Sequence, residues 1–237
     1  MSDVTPLEAV WTATPGPAPR EGLTLDRVVE AAMAIADAEG LDAVSMSRVA
    51  KRLGFTPMAI YRHVANKEEL LLHMQNRAVG VPPPEIAPTG DWRADITRWA
   101  WAGLAGVRAH PWYVQTLSLV GAPATPNQLL WIEAALQALA PTTLTEAEKI
   151  ETILLINAHV IADTTFRAID DAATATGSNE KVMARAMDPE RFPAFVRAAA
   201  AGAFAPGPDP AAERDELFRF GLERILDGVE AYLSRSA

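Results

Sequence analysis

The chain contains no cysteine, which excludes disulfides and thiolate-held metals. No run of eighteen or more apolar residues occurs, so no membrane span is expected. No basic segment followed by an apolar stretch opens the chain, so no secretory signal is expected either. Segments of alternating polarity are missing, as are internal repeats. The serine-hydrolase elbow, the HExxH metal helix, the phosphate-binding loop and the dinucleotide fingerprint are all absent. Positive charge is scarce: 21 Lys and Arg stand against 30 Asp and Glu, a formal net charge of −9. These absences predict a cytoplasmic, all-α protein with no enzyme activity, no cofactor and no bound metal. A length of 237 residues allows one large or two modest domains, and 49% hydrophobic content supports a sizeable core.

The scarce positive charge is concentrated. Residues 1–90 carry 8 basic and 11 acidic side chains, and residues 91–237 carry 13 and 19. Between Ala43 and Lys67, however, lie Arg48, Lys51, Arg52, Arg62 and Lys67, with no acidic residue among them. A basic island in a chain that otherwise repels phosphate is the electrostatic footprint of specific nucleic-acid binding. Helix punctuation falls on the same stretch. Thr24 caps a helix whose face carries Leu25, Val28, Val29, Ala32, Ile35 and Ala36, and Gly40 ends it. Ser45 caps a second helix, Gly54 and Phe55 form a turn, and Thr56 with Pro57 opens a third helix reaching Val64. Asn66 and Glu69 form a reciprocal capping pair for a fourth. Two short helices joined by a glycine-containing turn place a recognition helix in a DNA major groove, so Thr56, Pro57, Met58 and Ala59 are expected to face base edges. The bland alternative is a small bundle with a solvated basic face.

The run from Leu23 to Leu72 resembles the DNA-binding domain of the TetR family of bacterial transcriptional repressors. The likeness is carried by LTLDRVVEAA, by AEGLDAVSMSRVAKRLGF, and above all by Ala59-Ile60-Tyr61-Arg62-His63-Val64 with Asn66-Lys67. It is strongest to the tetracycline-repressor subgroup. Phe218 to Leu222 and Ile225 to Glu230 are similar to the last helix of that subgroup's ligand-binding domain. The resemblance implies a homodimer on a double-stranded DNA operator. It implies that Tyr61, His63 and Lys67 grip phosphates, with Ser45, Ser47 and Arg48 on the preceding helix. It also implies release by a small-molecule effector through the fourth helix acting as a lever. The magnesium- and drug-binding residues of the tetracycline repressor find no counterpart in the middle of this chain. A constitutive architectural DNA-binding protein is the alternative reading.

Composition divides the chain into an arm over 1–20, a DNA-binding domain over 21–80 and a helical ligand-binding and dimerisation domain over 81–237. The arm is rich in Pro, Ala and Thr and is expected to be mobile, with Trp11 as a docking exception. Arg20 stands where it can reach DNA or remain solvated. Pro82, Pro83, Pro84 and Pro88 stiffen the boundary.

Five of the six tryptophans lie between Trp92 and Trp131, a concentration that fits either core packing or a ligand pocket. Polar residues embedded in apolar helices point to the pocket. Trp99, Trp112 and Asn157 are the first candidates for its wall, followed by His110, Gln115, Thr164 and Phe166. His159 and Asp163, four apart, are read as an ion pair before a metal site. In the last helix Phe218, Leu222, Ile225, Val229 and Tyr232 form an apolar seam, with Gly221 and Gly228 alongside for close approach. Leu217, Leu226 and Leu233 add a second stripe, so the helix is expected to have two neighbours, its own bundle and a partner chain, with the seam as the dimer interface, partnered by the helix from Glu146.

Overall fold

The protein is described by a computed structural model that covers residues 5–13, 22–120, 124–176, 188–203 and 209–236, without the side chains of 167–176, 210, 211 and 236. Its elements are α1 (Pro6–Thr12), α2 (Leu25–Glu39), α3 (Met46–Leu53), α4 (Pro57–Ile60), α5 (Lys67–Val79) and α6 (Trp92–Ala109). These are followed by α7 (Trp112–Val120), α8 (Pro126–Leu139), α9 (Glu146–Thr176), α10 (Pro193–Ala200) and α11 (Pro210–Ser236). No strand occurs among the described residues. The expected all-α fold is therefore observed. No described helix is long and apolar enough to cross a membrane. Arg20 lies outside the described residues.

The caps fall where the sequence puts them. The hydroxyls of Thr24, Ser45 and Thr56 accept from the backbone N–H groups of Arg27, Arg48 and Ala59. Gly54 closes α3 in the left-handed region at φ 76°, which favours glycine. Asn66 accepts from Glu69 N at 2.8 Å, but the Glu69 carboxylate reaches back to the N–H of Ala65, one residue short of the reciprocal box. The third helix is also shorter than expected. Regular α-geometry ends at Ile60, and the chain winds through tight turns to Val64, whose N–H still returns to Ile60 O at 3.2 Å.

The arm is a correction. Over residues 6–12 it is helical, capped reciprocally by Thr5 and Glu8, and packed on α5. Trp11 fixes it further: its indole donates to the carbonyl of Ala124, just before α8, at 2.8 Å. A proline at the first helical position and a buried Val10 outweigh the composition that suggested disorder.

Two apolar cores result. One joins α2, α3, α4 and α5 and is completed by Trp112 and Tyr113 of α7. The other joins α6, α8, α9 and α11 around Ile96, Leu104, Leu139, Ile156 and Phe218. The DNA-binding core thus borrows from a helix that the sequence division at 80/81 assigns to the other half. Polar links tie the halves together. Asn127 donates two hydrogen bonds to Asn76, at 2.9 and 2.7 Å. Gln75 donates to Thr116 at 2.6 Å, and both are fully buried. Within the larger half, Arg108 of α6 pairs with Asp163 of α9 and Asp215 of α11, and Arg93 of α6 pairs with Asp227 and Glu230 of α11.

Candidate nucleic-acid interface and internal cavity

The basic island forms one exposed surface. Thr56, Pro57 and Met58 project from the start of α4, with Met58 69% exposed, and Ala59 is half-buried behind them. Tyr61 and Lys67 are exposed and His63 half-buried. Lys51, Arg52, Arg62 and Lys67 are exposed and form no ion pair among the described residues. Of these, Lys51, Arg52 and Arg62 belong to the surface but not to the residue set drawn from the family likeness. Ser47 is exposed and Ser45 spends its hydroxyl on the α3 cap. Arg48 differs from expectation: Glu39 holds its guanidinium through both carboxylate oxygens, at 2.7 and 2.6 Å. A phosphate would have to displace that carboxylate.

A cavity of about 400 Å³ lies within the larger half. Ala78 and Val79, the last turn of α5, contribute to its wall. From α6 come Trp99, Gly103 and Gly106; from α7, Tyr113 and Leu117; from α8, Gln128, Trp131 and Ile132; from α9, Leu154, Asn157, Val160 and Ile161. Among the described residues, no Asp, Glu, Lys, Arg or His side chain lines it. Each interior glycine of α6 costs roughly 0.5–1 kcal/mol of helix stability relative to alanine. A Cβ at Gly106 would meet nothing within 4 Å, so that glycine keeps space open rather than avoiding a clash. The Trp99 and Trp131 rings lie 6.4 Å apart at 60°. Their N–H groups are satisfied by the carbonyls of Trp131 and Gly80.

Trp99 and Asn157, two of the seven expected pocket residues, line the cavity. The other five do not. Trp112 is 3% exposed within the DNA-binding core, and its indole donates to Asp37. His110 meets the same carboxylate at 2.8 Å. Gln115 and Phe166 point outward, the latter 67% exposed. Thr164 is buried outside the lining, its hydroxyl without a partner. Periodicity showed that these helix faces were buried or polar but not which neighbour covers each. Tyr113, Gln128 and Trp131 were missed. Gly103 and Gly106, glycines kept inside a helix, were the readable signal.

His159 and Asp163 do not pair with each other. The His159 ring stacks on Phe218 at 4.8 Å and 7°, and Nε2 lies 2.9 Å from the Phe218 carbonyl. Asp163 joins Arg108. No cluster of three metal-ligating side chains occurs among the described residues.

The seam on α11 also needs correction. Phe218 and Leu222 are 1% and 2% exposed within their own bundle, with Ile225 and Val229 half-buried beside them. Gly221 lies against the same chain: a Cβ there would come 2.3 Å from His159. Tyr232 is exposed, and its hydroxyl donates to Glu148 of α9. The outward stripe runs instead through Leu217, Phe220 and Gly228, where Leu217 is 70% and Phe220 58% exposed and a Cβ at Gly228 would meet open space. On α9, Ile150, Leu154, Leu155 and Phe166 are exposed.

Residues 28–74 match the family described as bacterial regulatory proteins, tetR family, and residues 84–233 match the tetracyclin repressor-like C-terminal domain. The chain belongs to the TetR family of transcriptional regulators. The HTH-type transcriptional repressor DrrR1 of Streptomyces coeruleorubidus is 36% identical to it, across 97% of this chain and 86% of that one. Among solved structures, apo ActR of Streptomyces coelicolor superposes with a TM-score of 0.72 at 25% identity, covering 92% of this chain and all of that one. ActR in complex with actinorhodin gives 0.74 at 26% identity, covering 90% and 99%. This TetR-family regulator thus matches repressors along both halves.

Proposed function

We propose that this TetR-family protein is a cytoplasmic, homodimeric repressor that binds a palindromic operator and is released when a small-molecule effector fills the cavity between α5, α6, α7, α8 and α9. One observation carries this reading. A single helix, α5, has Lys67 of the basic surface at its N-terminus and Ala78 and Val79 of the cavity wall at its C-terminus. Thirteen residues make a rod of about 20 Å, short enough to pass a displacement at one end to the other. An effector that fits the cavity in one α5 position better than in the other shifts the equilibrium by that difference. ActR, similar over nearly its whole length, holds actinorhodin.

The dimer is supported by the exposed apolar stripes of α9 and α11, more apolar surface than two solvated helices need. Two α4 helices spaced roughly 34 Å apart would read half-sites one turn apart.

The test is selection of DNA from a random pool by the full chain, with molar mass by light scattering. Inverted repeats and twice the 25.5 kDa chain mass are expected. Half-sites without symmetry, or a monomer at micromolar concentration, would contradict it.

A further inference from the structure

We propose that the Tyr113 hydroxyl selects the effector, by donating to a carbonyl oxygen carried on a flat, uncharged, fused-ring molecule. This rests on the reading that the cavity is the effector site.

Charge is the first constraint. Among the described residues, the only ionisable group on the wall is the Tyr113 phenol. Burial pushes that phenol up, against the opposing hydrogen bond from Gln128, so it keeps its proton at neutral pH. A charged effector would enter without a counter-charge, which is strongly disfavoured in an apolar site.

Shape is the second. Gly103 and Gly106, one helical turn apart, leave a bare strip of α6 backbone where side chains would stand, and Trp131 lies 3.9 Å from the position of a Gly103 Cβ. Bare backbone bordered by indole rings accepts a flat ring system and gives a bulky, branched molecule nothing to fill around.

The hydrogen-bond inventory gives the third. Both wall indoles spend their N–H groups on backbone carbonyls. Gln128 Oε1 accepts from Thr125 N and Oγ1, and Gln128 Nε2 donates to the Tyr113 oxygen at 2.8 Å. The tyrosine oxygen is therefore held in place as an acceptor, while its own proton has no acceptor among the described residues. A buried donor left open favours a ligand that supplies an acceptor, and an in-plane carbonyl is the neutral acceptor that a fused ring carries. The Asn157 carboxamide is also free, but it both donates and accepts and so does not discriminate.

The experiment is equilibrium dialysis of the full-length protein with three probes. These are 2-(hydroxymethyl)anthraquinone, 2-(hydroxymethyl)anthracene with the same rings but no ring carbonyl, and the charged anthraquinone-2-sulfonate. The neutral quinone should bind about tenfold tighter than the hydrocarbon, the gain of one well-made hydrogen bond, and tighter than the sulfonate. Tyr113→Phe should erase the quinone preference and leave hydrocarbon affinity unchanged. A preference that survives Tyr113→Phe overturns the proposal. So does a wild type that ranks the three probes alike or binds none. Gly106→Phe, checked for folding by its melting curve, separates this from the underlying reading. If it fails to block the quinone, the cavity is not the site; if it blocks the quinone while Tyr113→Phe keeps the preference, the cavity stands and the tyrosine assignment falls.

Discussion

The indole of Trp112 donates to Asp37 across the join between the DNA-binding core and the larger half, at 2.5 Å. His110, two residues earlier, shares the same carboxylate oxygen at 2.8 Å. Asp37→Ala leaves a buried indole N–H unpaired, a loss of about 1–3 kcal/mol by denaturant unfolding. Trp112→Ala should lose more, about 3–5 kcal/mol, because it also empties core volume. Neither change should alter the ranking of cavity ligands, since neither residue lines the wall.

Glu39 holds the Arg48 guanidinium that a DNA phosphate would otherwise take up. The pair is about half-exposed and so contributes only about 0.2–1 kcal/mol to folding. Glu39→Gln should therefore fold normally, tighten DNA binding, and steepen the salt dependence by about one unit if Arg48 then pairs with a phosphate. Lys67→Ala should lower that slope by about one unit for all sequences alike. Fluorescence anisotropy over a salt series checks both.

Stability should fall as pH drops below about 6.5, and His73 is the cause. Burial holds its imidazole below the ordinary value, and Glu69, with an oxygen 3.8 Å away, offsets only part of that. The unfolded chain then takes up a proton at a pH where the folded chain does not. The contribution is fully present above the unfolded pKa and is lost as pH falls toward the lowered folded one. His73→Leu should flatten the decline between about pH 7 and 5 in a denaturation series.

Gly221 and Gly228 should behave oppositely, although seven residues and one apparent face relate them. Gly221→Ala forces a methyl into the His159 ring and should lower the melting temperature. Gly228→Ala has room within the chain, so any effect should appear in the dimer. Leu217→Glu with Phe220→Glu should yield a monomer by light scattering while Phe218 and Leu222 keep the fold.

Caps, turn and charge made the DNA-binding half legible because they are local: Ser45, Gly54, Thr56 and Asn66 act on backbone groups within four residues. The cavity was half legible. Trp99 and Asn157 were found from their helix faces, but Tyr113 was not, since its role depends on Gln128 of another helix. The burial of Phe218 and Leu222 on α11 was not legible for the same reason: Phe218 and Leu217 are equally apolar in sequence, and the positions of α6 and α9 decide which is covered.

Thr116 joins α7 to α5. Its hydroxyl donates to the carbonyl of Tyr113 at 2.6 Å and accepts from Gln75 of α5 at 2.6 Å. Thr116→Val removes the link at nearly constant volume. Ligand affinity of the free protein should hold, while the ligand's effect on DNA affinity should shrink.

The coupling itself is the most direct measurement. DNA affinity should be determined by anisotropy with and without a saturating compound whose binding Gly106→Phe abolishes, and the affinity of that compound with and without operator. The account predicts that the compound weakens DNA binding and that DNA weakens the compound by the same factor, as linkage requires. A DNA affinity unchanged by a filled cavity would contradict it.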